Sequence, residues 1–148
     1  MSDDLDELYQ QVILDHCKSP RNFHALDGAN RKGEGYNPLC GDNYTVFVKM
    51  DGDKVQDAAF LGSGCCISKA SASLMTDVVK GKSKAEVKAL FDKVHDMVMT
   101  GNGNEAGVGK LAVFAGVHKF PARVKCAILS WHAVLAAVNG EDKPVSTE

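Results

Sequence analysis

Tyr44-Thr45-Val46-Phe47-Val48-Lys49-Met50-Asp51-Gly52-Asp53 is the stretch that decides the fold class. Tyr44, Val46, Val48 and Met50 fall on every second residue, with Thr45, Phe47 and Lys49 between them. That is the period of a strand with one face turned to a core. Asp51-Gly52-Asp53 reads as a turn, and Val55 to Leu61 alternates again, so the pair predicts an antiparallel hairpin. Beyond Gly62-Ser63-Gly64-Cys65 the period changes. Ile67, Ala70, Ser71, Leu74, Met75 and Val78 recur at three- and four-residue intervals, a helical stripe ended by Gly81.

Upstream, Leu5, Leu8, Tyr9, Val12 and Ile13 give helical spacing over residues 4 to 17, and Ser19-Pro20 breaks it. Residues 18 to 34 are rich in Gly, Asn and charge and read as loop, with a short third strand near Gly33–Tyr36. Downstream, Ser83 and Glu86 form a capping-box pattern ahead of a stripe at Val87, Leu90, Phe91, Val94 and Val98. Residues 100 to 109 hold four glycines and read as loop, and Leu111 to Val117 as a short helix. Pro121 suits a first helical turn, with Val124, Ala127, Ile128, Trp131, Leu135 and Val138 following and Gly140 at the end. The prediction is one α+β domain over residues 1–148, a small antiparallel sheet of about three strands covered by helices on one face.

A formal net charge of −2 and the absence of any Lys/Arg stripe remove the footprint of a nucleic-acid binder. No stretch approaches the roughly 20 apolar residues of a membrane span. Met1-Ser2-Asp3-Asp4 is acidic where a signal peptide is basic, so the expectation is a cytoplasmic protein with no membrane partner. Five cysteines then point away from a disulfide framework, because the cytosol keeps thiols reduced and five is odd. Metal binding or thiol chemistry is the class to test.

Cys40-Gly41-Asp42 can bring a thiolate and a carboxylate onto one ion if the glycine between them bends. Cys-x-Asp also arises by chance. Cys65 and Cys66 stand where a strand ends and a helix begins, and a helix N-terminus favours the thiolate that binds metal and attacks sulfur. The competing reading is that both are small core residues. Cys126 lies on the last helix with Arg123 three positions earlier and Lys125 beside it, positive charges that favour a thiolate. It falls off the most apolar stripe, on a face with Arg123, Ser130 and Ala133. Cys17 has no such context and reads as structural. The five histidines are scattered without metal spacing, and the 101–109 glycines lack the Lys-Ser/Thr of a phosphate loop. Spacing alone thus yields three thiols and a carboxylate from three segments, without showing that they meet.

At these residues the chain resembles the U-type iron–sulfur assembly proteins, the family of IscU, SufU and the NifU N-terminal domain. The matching stretches include Leu8-Tyr9 through Asp15-His16, Ser19-Pro20-Arg21-Asn22, Asn37-Pro38-Leu39-Cys40-Gly41-Asp42 and Gly62-Ser63-Gly64-Cys65. They continue through Ile67 to Ser73 and from Phe120-Pro121-Ala122-Arg123-Val124-Lys125-Cys126 to Trp131. They span nearly the whole chain in the family's order.

The resemblance implies a metal held by Cys40, Asp42, Cys65 and Cys126. Lys125 stands where IscU-type scaffolds carry a histidine, their Leu-Pro-Pro-Val-Lys segment is absent, and extra residues lie within 82–110. Those departures look like SufU. They imply a zinc-dependent acceptor of persulfide sulfur from a SufS-type cysteine desulfurase, with Cys40 the acceptor once a desulfurase histidine replaces it on zinc. The sulfur would pass to downstream assembly machinery, and the inserted segment is a candidate contact for the desulfurase. Three thiolates and a carboxylate make a closed shell suited to zinc. Their charge leaves the site at −2, which Arg123 or Lys125 would help to hold. Register with Ile67-Ser68 assigns the ligand to Cys65, leaving Cys66 as an extra, packed thiol or an alternate ligand. The alternatives are a scaffold carrying iron or a [2Fe–2S] cluster on the same four residues, and an interaction module with a structural zinc.

Overall fold

The computed structural model describes residues 3–38, 41–101, 109–140 and 145–146. Helix α1 (Asp3–Lys18) leads through an irregular segment to strands β1 (Arg31–Asn37), β2 (Asp42–Asp51) and β3 (Lys54–Ser63). Helices α2 (Cys66–Val79) and α3 (Lys84–Thr100) follow, then 3₁₀ turns over Gly109–Lys119, helix α4 (Pro121–Val138) and a two-residue strand β4 (Val145–Ser146). The sheet order is β3-β2-β1-β4. The first three strands are antiparallel as expected, and β4 adds a parallel edge beside Gly35 and Tyr36 that no local pattern announced.

Tyr44, Val46, Val48 and Met50 are buried, as their alternation requires. In β3 the inward residues are Val55, then Ala58 and Phe60, which break a strict period of two. A register irregularity between Lys49 and Met50 explains the switch. Lys49 pairs with Asp57 but Met50 pairs with Val55, so one extra residue is looped out of the ladder and the inward side resets.

The third strand is longer than its sequence suggests, running from 31 to 37 through residues that read as loop. The reason lies in α4. A Cβ on Gly33 would collide with the Ala133 carbonyl, and one on Gly35 would press on Leu129 Cδ1 at 3.1 Å. The glycines that weaken the strand signal are what allow the helix to lie against the sheet. Trp131, Leu129, Ala133 and Val134 of α4 then fill the core with Leu74 and Met75 of α2 and Val94 and Met97 of α3. Cys126 and Ser130 are buried as well, so α4 is enclosed on most of its circumference and only its first turn, with Arg123, is exposed. This corrects the face reading, which set Cys126, Ser130 and Ala133 beside Arg123 on a less buried side.

The Ser83 cap is present: its hydroxyl accepts from the Glu86 N–H at 3.2 Å, and Glu86 Oε1 accepts from the Ser83 N–H at 3.0 Å. Of the 82–110 segment, 84–100 form α3, whose Val87, Leu90, Phe91, Val94, Met97 and Val98 are buried, and 102–108 lie outside the described residues. The Ser19-Pro20-Arg21-Asn22 run pins the loop after α1. Asn22, with φ of 58°, donates through Nδ2 to Thr76 Oγ1 at 3.1 Å and Asp77 Oδ1 at 3.0 Å, and its carbonyl accepts from the Phe60 N–H. No helix among the described residues is long and apolar enough to cross a membrane.

Candidate metal centre

Three chain segments end at one corner of the sheet. The register pairs Asn37 with Asp42 across the β1–β2 connection and Asn43 with Ser63 across β2–β3, which sets Asp42 beside the run leading to Cys65. Gly41 holds a φ of +73°, a left-handed conformation that suits glycine, so the bend expected between Cys40 and Asp42 is there. Helix α4 crosses β1 and β2 and brings Cys126 to the same corner.

Donor atoms of Asp42, Cys65 and Cys126 all lie within 4.8 Å of one another. Donors around a tetrahedral zinc with Zn–S near 2.3 Å sit about 3.8 Å apart, so a small contraction suffices to close them on one ion. Asp42 is 1 % exposed. Its Oδ1 accepts from the Cys65 N–H at 3.0 Å, while Oδ2 is buried and has no hydrogen-bond partner among the described residues. An unpartnered buried polar atom costs ~1–3 kcal/mol, which a cation between this oxygen and the two sulfurs would offset. The donor set and the orphaned oxygen both fit a metal ion.

Each sulfur is held by its surroundings. Cys65 is the N-cap of α2, and its Sγ accepts from the Ser68 N–H at 3.5 Å. The Ser68 hydroxyl donates to the Cys65 carbonyl at 2.9 Å and lies 2.9 Å from the Tyr44 hydroxyl. Burial, above all, raises the Tyr44 phenol far above its ordinary range, with the Asp42 and Cys65 side chains adding to the shift against the Ser68 hydrogen bond. Tyr44 is therefore a neutral hydrogen-bonding partner. A Cβ on Gly64 would come 2.6 Å from both Asp42 Oδ1 and Ser68 Oγ and 2.7 Å from the Tyr44 hydroxyl, so only glycine fits between them. Across the site the buried Asn37 donates through Nδ2 to Cys126 Sγ at 3.9 Å.

Of the residues picked out by sequence, Asp42, Cys65 and Cys126 are brought together, and Cys40 lies outside the described residues. Arg123 is exposed and Lys125 half-buried, and among the described residues no hydrogen bond or ion pair links either side chain to the three donors. Cys66 does not join the cluster. It is half-buried, and burial first and then interaction with the Cys17 side chain push its thiol up to about 11. Asn37, Tyr44 and Ser68 were missed. Ser68 carried a signal, since it stands three residues after Cys65, the spacing of a cap to the third helical position. Nothing local marks Tyr44, which reads only as an inward strand residue.

The NifU-like N-terminal domain family model matches residues 8–127. The Streptococcus pyogenes protein named iron-sulfur cluster assembly scaffold protein IscU is 46% identical over 136 residues, covering 90% of this chain and 84% of that one. The Bacillus subtilis protein named zinc-dependent sulfurtransferase SufU is 44% identical over 140 residues, covering 93% and 94%. A crystal structure assigned to an iron-sulfur cluster assembly scaffold of the SUF system of Fervidobacterium islandicum AW-1 superimposes with a TM-score of 0.83 at 31% identity. It covers 93% of this chain and 99% of the other.

Proposed function

Because the chain belongs to the NifU-like N-terminal domain family, we propose that it works in iron–sulfur cluster assembly as a zinc-dependent acceptor of persulfide sulfur. The observation that carries the reading is the meeting of Asp42, Cys65 and Cys126 around an unpartnered carboxylate oxygen. Cys40, two residues before Asp42, supplies the fourth ligand, and the shell of three thiolates and a carboxylate is one that zinc accepts. When bound, zinc holds the thiols as thiolates. A SufS-type cysteine desulfurase is the donor and the cytoplasm the location. The Cys40 thiolate attacks the outer sulfur of the desulfurase persulfide; a new S–S bond forms on Cys40, and the desulfurase cysteine leaves as its thiolate. Arg123 and Lys125 offset the excess negative charge from the protein surface. Residues 82–110 form a SufU-type insertion within a single domain.

A second reading has support in the S. pyogenes relative named as a scaffold: the same residues carry iron or a [2Fe–2S] cluster. Metal content of protein purified without added metal, paired with desulfurase turnover with and without it, separates the two. One zinc per chain with strong stimulation is the expected result. Iron with acid-labile sulfide and little stimulation moves the assignment to the scaffold. Cys40→Ala is expected to abolish stimulation with the fold intact, and full stimulation by that variant would refute the acceptor role.

A further inference from the structure

Asn37 ends β1 at the corner where the donors meet, and it is fully buried. Its carbonyl accepts from the Gly41 N–H at 2.8 Å, and it pairs with Asp42 in the sheet register. It therefore holds both ends of the β1–β2 connection that carries Cys40. Backbone atoms make those links, and the carbonyl is one that any residue would supply. The side chain adds a contact of another kind: Nδ2 donates to Cys126 Sγ at 3.9 Å. A thiolate accepts and does not donate, so the NH2 end of the amide is the end suited to face it. At 3.9 Å the contact is long, but a charged sulfur accepts more closely and about twice as strongly as a neutral one. Cys65 Sγ also has its donor, the Ser68 N–H at 3.5 Å, but that group belongs to the backbone of α2. Asn37 brings a side-chain donor to a ligand sulfur, so its contribution can be removed by substitution.

We propose that Asn37 is a positioning residue of the metal centre: its side-chain N–H fixes the Cys126 sulfur toward the ion while its carbonyl holds the connection bearing Cys40. Cys126 is then the standing ligand, and exchange is left to Cys40. The inference rests on the functional reading above. An N–H bond to a thiolate fixes the direction of the sulfur and draws charge from it. Both effects suit a ligand that stays on the metal, and the second blunts it as a nucleophile. Cys126 is also fully enclosed, which gives a persulfide on another protein no open approach to it. One buried residue thus touches the fixed side of the site with its amide and the exchanging side with its backbone.

The test is proton–cadmium correlation NMR on the full chain loaded with a spin-active cadmium isotope. A cross-peak between the metal and the Asn37 side-chain N–H, carried through Cys126 Sγ, is the expected result, and a spectrum without it would overturn the proposal. Asn37→Leu keeps the heavy-atom shape and the backbone carbonyl but removes the donor. It should bind cadmium about 10- to 100-fold more weakly in competition with a chelator. Loaded with cobalt, it should also move the sulfur-to-metal charge-transfer band to longer wavelength, which a merely structural loss would not do. Wild-type affinity and band position in this variant would equally overturn the assignment. If Asn37→Leu does not fold, the cadmium spectrum of the unaltered chain decides alone. A wild-type chain that binds neither metal through sulfur would refute the metal centre and this inference with it. A chain that binds metal but lacks the Asn37 cross-peak would sink the inference and leave the functional reading standing.

Discussion

The two ends of the hairpin built by β2 and β3 are made on different terms. At the turn end, Asp51 pairs with Lys54, the Lys84 N–H donates to the Asp53 carbonyl at 3.0 Å, and Ser83 and Glu86 cap each other. Partners there are close in sequence or are backbone groups, and the cap closes within four residues. At the other end, Asp42, Cys65 and Cys126 come from segments far apart in the chain, and one carboxylate oxygen has no partner among the described residues. At the turn end the polar groups are matched by near neighbours or by backbone. Where one is buried and unmatched, the fold tolerates a cost of ~1–3 kcal/mol that a ligand would offset. That oxygen, with the sulfurs of Cys65 and Cys126 beside it, makes this end the candidate site.

Breaking the site end should cost function before fold. Cys126→Ala is expected to reduce metal content from one ion per chain to near none, with little change in circular dichroism; retention of stoichiometric metal would remove Cys126 from the ligand set. Gly64→Ala should destabilise by ~1–3 kcal/mol in urea unfolding, because the added methyl has nowhere to go among Asp42, Ser68 and Tyr44. It should also weaken metal retention against a chelator, which a purely structural glycine would not do.

At the turn end the effects should be smaller and confined to stability. Ser83→Ala removes the cap of α3 and should cost about 1 kcal/mol with metal content unchanged. A loss of metal in this variant would mean that the two ends are coupled. The smallest effect is a pH dependence between them, on the α3–α4 seam. His132 packs edge-on against Phe91 at 5.1 Å and near His95 at 6.4 Å, and burial first, then His95, hold its pKa below the ordinary value. The unfolded chain therefore binds a proton more readily. Stability contributed by neutral His132 is present above the unfolded value of about 6.5 and is lost as pH falls from there toward the folded value. Unfolding midpoints of metal-free protein across that window should fall with pH, and His132→Asn should flatten the slope.

The secondary structure was legible wherever one face of an element meets the core. Tyr44 to Met50 alternated, Val87 to Val98 kept helical spacing, and Ser83 with Glu86 announced the cap that forms. Strand β1 was only half legible, because Gly33 and Gly35 are selected by the close approach of α4 rather than by strand propensity. The parity change in β3 was hidden, since a bulge is a property of the pairing and not of either strand.

By itself the sequence determined the period of each element, the ends marked by Pro121, Gly140 and Ser83, and the kinds of donor available for chemistry. These are local quantities, set by side-chain size, branching and hydrogen-bonding within a turn or two. Only the tertiary structure decided that Asp42, Cys65 and Cys126 share a corner, and that Cys126 is enclosed while Arg123 is not. Such pairings depend on how helices seat on a sheet. That seating is fixed by packing summed over the whole core, where no short stretch of chain holds the information.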